Sequence, residues 1–207
     1  RGAEVCGLDL ENSKIVTCHV GNGGSVTAVL NGKSYCTSMG FSPVDGLMMG
    51  TRCGDVDPSA VLYIAEKEGM NFAEINTMIN KKSGVEAVSG VSSDMRDIDD
   101  AYEAGNERAI LARDMYYDRV KQYVGKYAAL MGGCDLLIFT GGVGENSNDL
   151  RRWVSHNMEW MGIEINDALN DVTRGTDTIL STENSKVKVA VIATNEELVI
   201  AQDTFRL

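Results

Sequence analysis

Two glycine-rich turns and one arginine are the parts of this chain best suited to chemistry. In the run His19-Val20-Gly21-Asn22-Gly23-Gly24-Ser25, a strand-like segment enters a turn of consecutive Gly and Asn residues. A plain hairpin needs only two residues with positive φ. Successive amides in a longer turn of this kind can point inward as a concave anion site; a polar hairpin tip is the alternative reading. The second run, Gly141-Gly142-Val143-Gly144-Glu145-Asn146, follows an apolar segment and precedes the helix cap Ser147-Asn148-Asp149. Strand, glycine loop and helix N-terminus in that order bring backbone close to a nucleotide. The Gly-Lys-Ser/Thr of a P-loop and the spacing of a dinucleotide fingerprint are both absent, so a tight βα turn stays open as the alternative. Arg52 stands between Gly50 and Gly54, which add no bulk against an approaching ligand. Its plainer reading is an ion pair with Asp55 or Asp57. Thr194-Asn195-Glu196-Glu197 fits a capping box with Thr194 at N-cap and Glu197 at N3. That leaves Glu196 at a helix start without a structural task. The two histidines offer no Ser-His-Asp or Cys-His pair, and His156, among Arg151, Arg152 and Trp153, reads as a surface residue.

Composition narrows the function classes. The 207 residues are 43% hydrophobic and 24% charged, with a net charge of −11, ordinary for a globular protein and unsuited to coating nucleic-acid phosphates. No apolar run approaches the ~20 residues that span a bilayer, and none reads as a signal peptide. Five cysteines without paired short spacing argue against a disulfide framework or zinc site and for a reducing cytoplasm. We find no internal repeat or low-complexity segment. The chain opens on Arg1, without Met and within what reads as a helix end, and we expect a fragment.

The elements that must position these residues follow from periodicity. Residues 14–20, 25–31 and 33–38 read as a three-stranded meander, its second turn the Asn31-Gly32 hairpin signal. Residues 40–58 are irregular and rich in Gly and Pro, a length of loop that tends to carry function. Helices are expected over 59–69 and 71–82, the second with a stripe of Phe72, Ile75, Met78 and Ile79 and a stop at Ser83-Gly84. The polar turn 92–97 caps an acidic helix. The longest helix, 106–131, carries a seam of Tyr116, Val120, Tyr123, Tyr127 and Leu130. A buried strand over 134–140 leads into the glycine loop, and the next helix turns Leu150, Val154, Met158 and Met161 inward. Short strands at 163–165 and 179–182 and a buried strand at 187–194 complete the chain.

Two glycine turns at strand ends, a meander and later strand–helix units suggest an α/β fold of the actin-like ATPase (ribonuclease H-like) type, with a mixed sheet and helices on both faces. Five ordered runs then resemble the acetate kinase family: His19 to Ser25, Thr37-Ser38-Met39-Gly40-Phe41-Ser42-Pro43, Met49-Gly50-Thr51-Arg52 with Gly54-Asp55, Phe139 to Asn146, and Thr194-Asn195-Glu196-Glu197-Leu198. The resemblance implies a kinase interconverting ATP plus acetate with ADP plus acetyl phosphate, dependent on Mg²⁺ (or Mn²⁺), with two similar domains closing on ATP. It implies that His19, Val20, Gly21, Asn22 and Gly23 contact ATP phosphates. Asp94, Met95, Arg96, Gly142, Val143, Gly144, Glu145 and Asn146 would surround the nucleoside. Arg52 would stabilise the transition state, Pro43 wall the acetate methyl pocket, and Glu196 serve the metal. The residue types suit phosphoryl transfer, which needs positioned amides and a guanidinium more than covalent chemistry.

By the same resemblance, residues 1–194 are a C-terminal nucleotide-binding domain, and residues 195–207 start a helix returning to a first domain outside this chain. A cytoplasmic homodimer formed through this domain is expected, with no nucleic-acid or membrane partner. Cys36 stands where the family has Asp and Cys53 where it has Ser. The alternatives are a non-catalytic ATP-binding or dimerisation module, or a kinase for another short carboxylate such as propionate.

Overall fold

The computed structural model describes residues 1–206, and of Glu196 the backbone alone. The helices are α1 (Gly2–Val5), α2 (Pro58–Glu68), α3 (Phe72–Lys81), α4 (Gly84–Ser89), α5 (Met95–Glu103), α6 (Glu107–Met131), α7 (Gly141–Asn146), α8 (Asn148–Ser155), α9 (Asp167–Val172) and α10 (Glu196–Arg206). The strands are β1 (Lys14–Val20), β2 (Gly24–Leu30), β3 (Lys33–Thr37), β4 (Leu136–Thr140), β5 (Thr178–Ile179) and β6 (Lys188–Val191).

The meander forms in the expected register, with Lys14 opposite Leu30 and Val20 opposite Gly24. Its turn residues Asn31 and Gly32 have φ of 51° and 74°, the two positive values a two-residue hairpin turn requires. The six strands lie in the order β3-β2-β1-β4-β6-β5. β4 runs parallel to β1 with Thr140 opposite His19, and β6 runs parallel to β4. Ligands of such sheets collect outside the carboxyl ends of parallel strands. Here those ends are the two glycine turns, side by side.

Alternation sorts each central strand between two cores. Val16, Cys18, Leu137, Phe139, Val189 and Val191 enter the larger one, whose roof is α6. Ile15, Leu136, Ile138 and Ala190 enter the smaller one, closed by Ala3 of α1. Helices thus lie on both faces. Asn106 caps α6 by accepting the amides of Arg108 and Ala109, and Gly132 ends it in the left-handed conformation. The Tyr116–Tyr127 seam is buried, but Met131 rather than Leu130 continues it, Leu130 being 51% exposed.

Several expectations give way to tertiary context. Residues 141–146 form a short helix rather than a loop. α8 stops at Ser155 because His156 leaves in extended conformation; Met158 is buried from the following turn, where Asn157 has φ 58°. Ser83-Gly84 does not simply end α3: Gly84, at φ 69°, opens α4. No residue of α3 is buried and Phe72 is 87% exposed, so its apolar stripe finds little cover within this chain. Residues 163–165 contribute one bridge, Ile165 to Ser181, rather than a strand. α10 is capped by Asn195, which accepts the Leu198 amide at 3.0 Å, because the Thr194 hydroxyl is occupied elsewhere.

Candidate functional site

A cavity of about 620 Å³ opens at the carboxyl ends of β1 and β4. Three segments far apart in sequence converge on it: Gly21-Asn22 after β1, Ser93 to Arg96 with Asp99 at the start of α5, and Gly142, Val143, Asn146 and Ser147 along α7. The two glycine turns touch, since a Cβ on Gly21 would lie 3.8 Å from the Gly142 nitrogen. Among the described residues, the amides of Asn22 and Gly23 donate to no protein oxygen, as an anion-binding turn requires.

One helix supports this arrangement from below. The Tyr116 hydroxyl donates to Gly21 O at 2.9 Å, and Tyr117 shares a 3.3 Å hydrogen bond with Ser147 Oγ. Burial pushes both phenols upward, so they stay protonated. Arg113 pairs with Asp99 at 3.3 Å and Asp149 at 2.9 Å. The seam periodicity placed the tyrosine rings in the core; nothing local showed that their hydroxyls would prop the site.

The Arg52 loop docks onto the first turn. The Gly50 amide donates to Asn22 O at 2.9 Å, and a Cβ on Gly50 would collide with Asn22 Oδ1. The start of α4 grips the loop from the other side: the amides of Ser83, Val85 and Glu86 donate to Thr51 O, Met49 O and Gly50 O at 2.9–3.1 Å. Gly84 must be glycine there, because a side chain would strike Met49 O. These contacts set the Arg52 guanidinium 3.4 Å from the Cβ position of Gly23. The ion-pair alternative fails on geometry. Asp55 is taken by Arg119 at 3.1 Å, Tyr123 at 2.8 Å and the Gly46 amide at 2.9 Å, while Asp57 caps α2. Among the described residues Arg52 has no carboxylate partner.

The other expected residues are placed as follows. Asp94 caps α5 and holds Arg96 at 2.6 Å; hydrogen bonds from Arg96 lower its carboxyl to about 2. Val20 is buried in the larger core, and the His19 ring lies 3.3 Å from the Cβ position of Gly141. Gly144 faces Cys18 O, away from the cavity lining. Glu145 is a clamp: its Oε1 accepts from the amides of Gly141 and Thr194 at 2.9 Å each and from the Thr194 hydroxyl at 2.8 Å. Pro43 is exposed on its loop. The Glu196 side chain lies outside the described residues. Among those described, no three His, Cys, Asp or Glu side chains converge as a metal site.

Arg151 escaped sequence reading altogether. It is completely buried, donating to Gly144 O, Glu145 O, Asn170 O, Thr173 O and Asn170 Oδ1 at 2.7–3.1 Å. Burial brings its guanidinium down to about 10, still charged at neutral pH. It fastens the end of α7 to the end of α9.

The sequence profile of the acetokinase family matches residues 1–202. The chain belongs to the acetokinase family. It is 54% identical over 207 residues to the acetate kinase of Parabacteroides distasonis and 50% identical over 207 residues to that of Clostridioides difficile, covering 100% of this chain and 52% of each relative. The chain thus spans about half the length of the curated relatives it matches. The crystal structure of Porphyromonas gingivalis acetate kinase superposes with a TM-score of 0.96 at 52% identity, covering 99% of this chain and 51% of that one. A propionate kinase from Francisella tularensis superposes with a TM-score of 0.88 at 38% identity, covering 98% of this chain and 51% of that one. The mixed α/β fold, shared with the acetate kinase structures on which it superposes, is of the actin-like ATPase type. The Cys53 thiol donates to Gly54 O at 3.2 Å, and burial raises it so that it stays protonated.

Proposed function

We propose that this chain is the nucleotide-binding part of a kinase that transfers the γ-phosphoryl group of ATP to acetate. The observation that carries this reading is the convergence of Gly21-Asn22, the α5 start and α7 on one cavity, with unpaired Arg52 beside Gly23. An acetate oxygen attacks the γ-phosphorus, the bond to the bridging β–γ oxygen breaks, and ADP departs with that electron pair. The turn amides hold phosphate oxygens, the α5 and α7 residues hold the nucleoside, and Arg52 balances charge as the phosphoryl group moves. A planar guanidinium can bridge carboxylate and phosphoryl oxygens, which an ammonium cannot do in the same way. Glu196 would hold Mg²⁺ (or Mn²⁺), which would supply positive charge to the phosphates during transfer. Pro43 would wall the methyl pocket. The complete protein would act as a cytoplasmic homodimer, and a charge of −11 on this chain disfavours contact with nucleic-acid phosphates. Among the described residues no helix is long and apolar enough to cross a membrane. Likeness to a propionate kinase keeps propionate as a second acyl substrate.

The half-length span favours one further reading, a chain that binds ATP or dimerises without turnover of its own. Intact mass of the native protein, or the reading frame upstream of Arg1, separates the two, and a hydroxamate assay with ATP, magnesium and acetate tests the chain by itself. The 207-residue chain alone is expected to make no acetyl phosphate, because its cavity is open where the family's first domain closes. Turnover comparable to that of a full-length relative would overturn this expectation.

Nucleotide binding by the chain itself is expected to survive, weakly, with ADP and ATP alike because the γ-phosphate lacks partners. Calorimetric titration with ADP, ATP and GTP measures this. Gly142→Val is the informative variant: a Cβ there meets nothing within 4 Å, so the side chain occupies space at the cavity wall without disturbing the fold. At Gly144 the same change would press on Cys18 O in β1 and test packing instead. Unchanged affinity in Gly142→Val would place the nucleotide elsewhere.

A further inference from the structure

Asp55, next to Gly54 in the run that carries Arg52, lies outside the lining of the nucleotide cavity. Its partners show what it holds. Oδ1 accepts the Gly46 amide at 2.9 Å while the Asp55 amide donates to Gly46 O at 2.9 Å, so the two limbs of the Arg52 loop are tied across their base. The Met49 amide, donating to Arg52 O at 3.1 Å, ties the same limbs at the tip. Between these ties Gly54, at φ 69°, lies so close to Leu47 and Met48 that a side chain there would strike their backbone. A loop this narrow and cross-tied passes a displacement at its base on to Arg52.

The other carboxylate oxygen joins the loop to α6. Asp55 Oδ2 accepts from the Tyr123 hydroxyl at 2.8 Å and from Arg119 Nη1 at 3.1 Å. Among the described residues these are the only hydrogen bonds between residues 46–56 and α6. Burial raises the Asp55 carboxyl, but hydrogen bonds from Tyr123 and the Gly46 amide and the charge of Arg119 outweigh it, and it stays ionised. Leu47 and Met48 also enter the larger core against which α6 packs. Apolar packing has no direction, so position along the helix is set by the directed bonds of Asp55. Tyr116, whose hydroxyl donates to Gly21 O at 2.9 Å, precedes Arg119 and Tyr123 by three and seven residues. Spacings of three and four keep all three side chains on one helix face, about 10 Å from end to end. One face of α6 thus grips both the first glycine turn and the Arg52 loop.

We propose that Asp55 is a positioning residue for phosphoryl transfer: through α6 it fixes the Arg52 guanidinium relative to the Gly21–Gly23 turn. This rests on the reading of Arg52 and that turn as the groups that serve the transferred phosphate. The competing role is stability alone. The Asp55 and Arg119 side chains are 34% and 31% exposed, and an ion pair that open to water adds little to stability. Loss of Asp55 is therefore expected to show in kcat more than in the melting temperature.

The test is a double-mutant cycle in the complete protein, reading kcat for acetyl phosphate formation, the Kd of ATP and the melting temperature of Asp55→Ala, Arg52→Ala and the double variant. Asp55→Ala is expected to lower kcat about 10- to 100-fold, the upper figure being the loss for a reacting group misplaced by about 1 Å, with the Kd of ATP unchanged. In the Arg52→Ala background the same change should cost nothing further, because no guanidinium is left to position. Asp55→Asn keeps an acceptor for the Gly46 amide and should recover part of the loss. Tyr123→Phe removes one donor on α6, leaves the loop sequence intact and should lower kcat a few-fold, again only when Arg52 is present. These two variants carry the cycle if Asp55→Ala misfolds. Equal losses in both backgrounds would overturn the proposal. So would a lowered melting temperature and weakened ATP binding with kcat of the folded protein intact. If Arg52→Ala is impaired and none of the Asp55 and Tyr123 variants is, the loop holds Arg52 without Asp55 and only this proposal falls. Normal kcat in Arg52→Ala would overturn the reading of Arg52 and this proposal with it.

Discussion

Arg52→Ala is expected to lower kcat for acetyl phosphate formation in the complete protein by about 10³-fold, with the Kd of ATP nearly unchanged. The magnitude follows arginines that supply charge to phosphoryl transfer in other enzymes. The geometry makes the experiment clean. The loop carrying Arg52 is held through its backbone, by Met49 N to Arg52 O at 3.1 Å, Cys53 N to Ile79 O at 3.0 Å and the amides at the start of α4. Among the described residues the only side-chain hydrogen bond of the guanidinium is from Nη1 to the Met49 sulfur at 3.4 Å. Removing the side chain therefore takes away a charge beside Gly23 and leaves the loop in place. Arg52→Lys should recover only part of the loss, since a point charge lacks the planar fork. A variant with normal kcat and a lowered melting temperature would show that Arg52 serves stability alone.

Arg151→Met is expected to destabilise the fold by about 2–6 kcal/mol, at about 1–3 kcal/mol for each of two buried acceptors left without a donor. Five hydrogen bonds disappear at once. Four of the acceptors are backbone carbonyls around the ends of α7 and α9; Glu145 O, Asn170 O and Thr173 O also accept from Gly175, Thr173 and Arg174, whereas Gly144 O and Asn170 Oδ1 have no other donor among the described residues. Methionine fills the volume but donates nothing, so Gly144 O and Asn170 Oδ1 stay buried and unmet. Against a total stability of roughly 5–15 kcal/mol the loss is large. Urea denaturation of wild type and variant measures it, with m-values compared to confirm two-state behaviour. Arg151→Lys should restore less than half, because one ammonium cannot reach five acceptors spread over two helices. A shift below about 1 kcal/mol would mean that water replaces the guanidinium in this niche.

Arg151 also marks where sequence reading stops. In the chain it stands beside Arg152 and Trp153 in a polar run, and burial of a guanidinium cannot be seen in such a run. Its acceptors lie on α7, six and seven residues before it, and around α9, nineteen to twenty-two residues after it. Asp99 is hidden for the same reason: one acidic residue among several in α5, distinguished only by Arg113 across the helix pair. Thr194 fits a local capping box, yet the Glu145 carboxylate, at 2.8 Å, competes for its hydroxyl. Residues 141–146 carry three glycines and read as a loop because glycine disfavours helix. The Glu145 clamp at one end and Arg151 at the other hold them helical.

What the sequence determined by itself is local chemistry. The Asn31-Gly32 turn, the caps of α6, the alternation of β1 and the buried run of β4 depend on φ preferences, short-range hydrogen bonds and apolar period. The five motif runs likewise identify the family without any structure. Tertiary structure alone decided that β4 lies beside β1, across more than a hundred residues, and so made two separate glycine turns into one cavity. It also decided which polar side chains face that cavity and which hold it up. The physical reason is that an apolar stripe records its own burial in its spacing, whereas a polar side chain takes its role from a partner that only the folded chain brings within 3 Å.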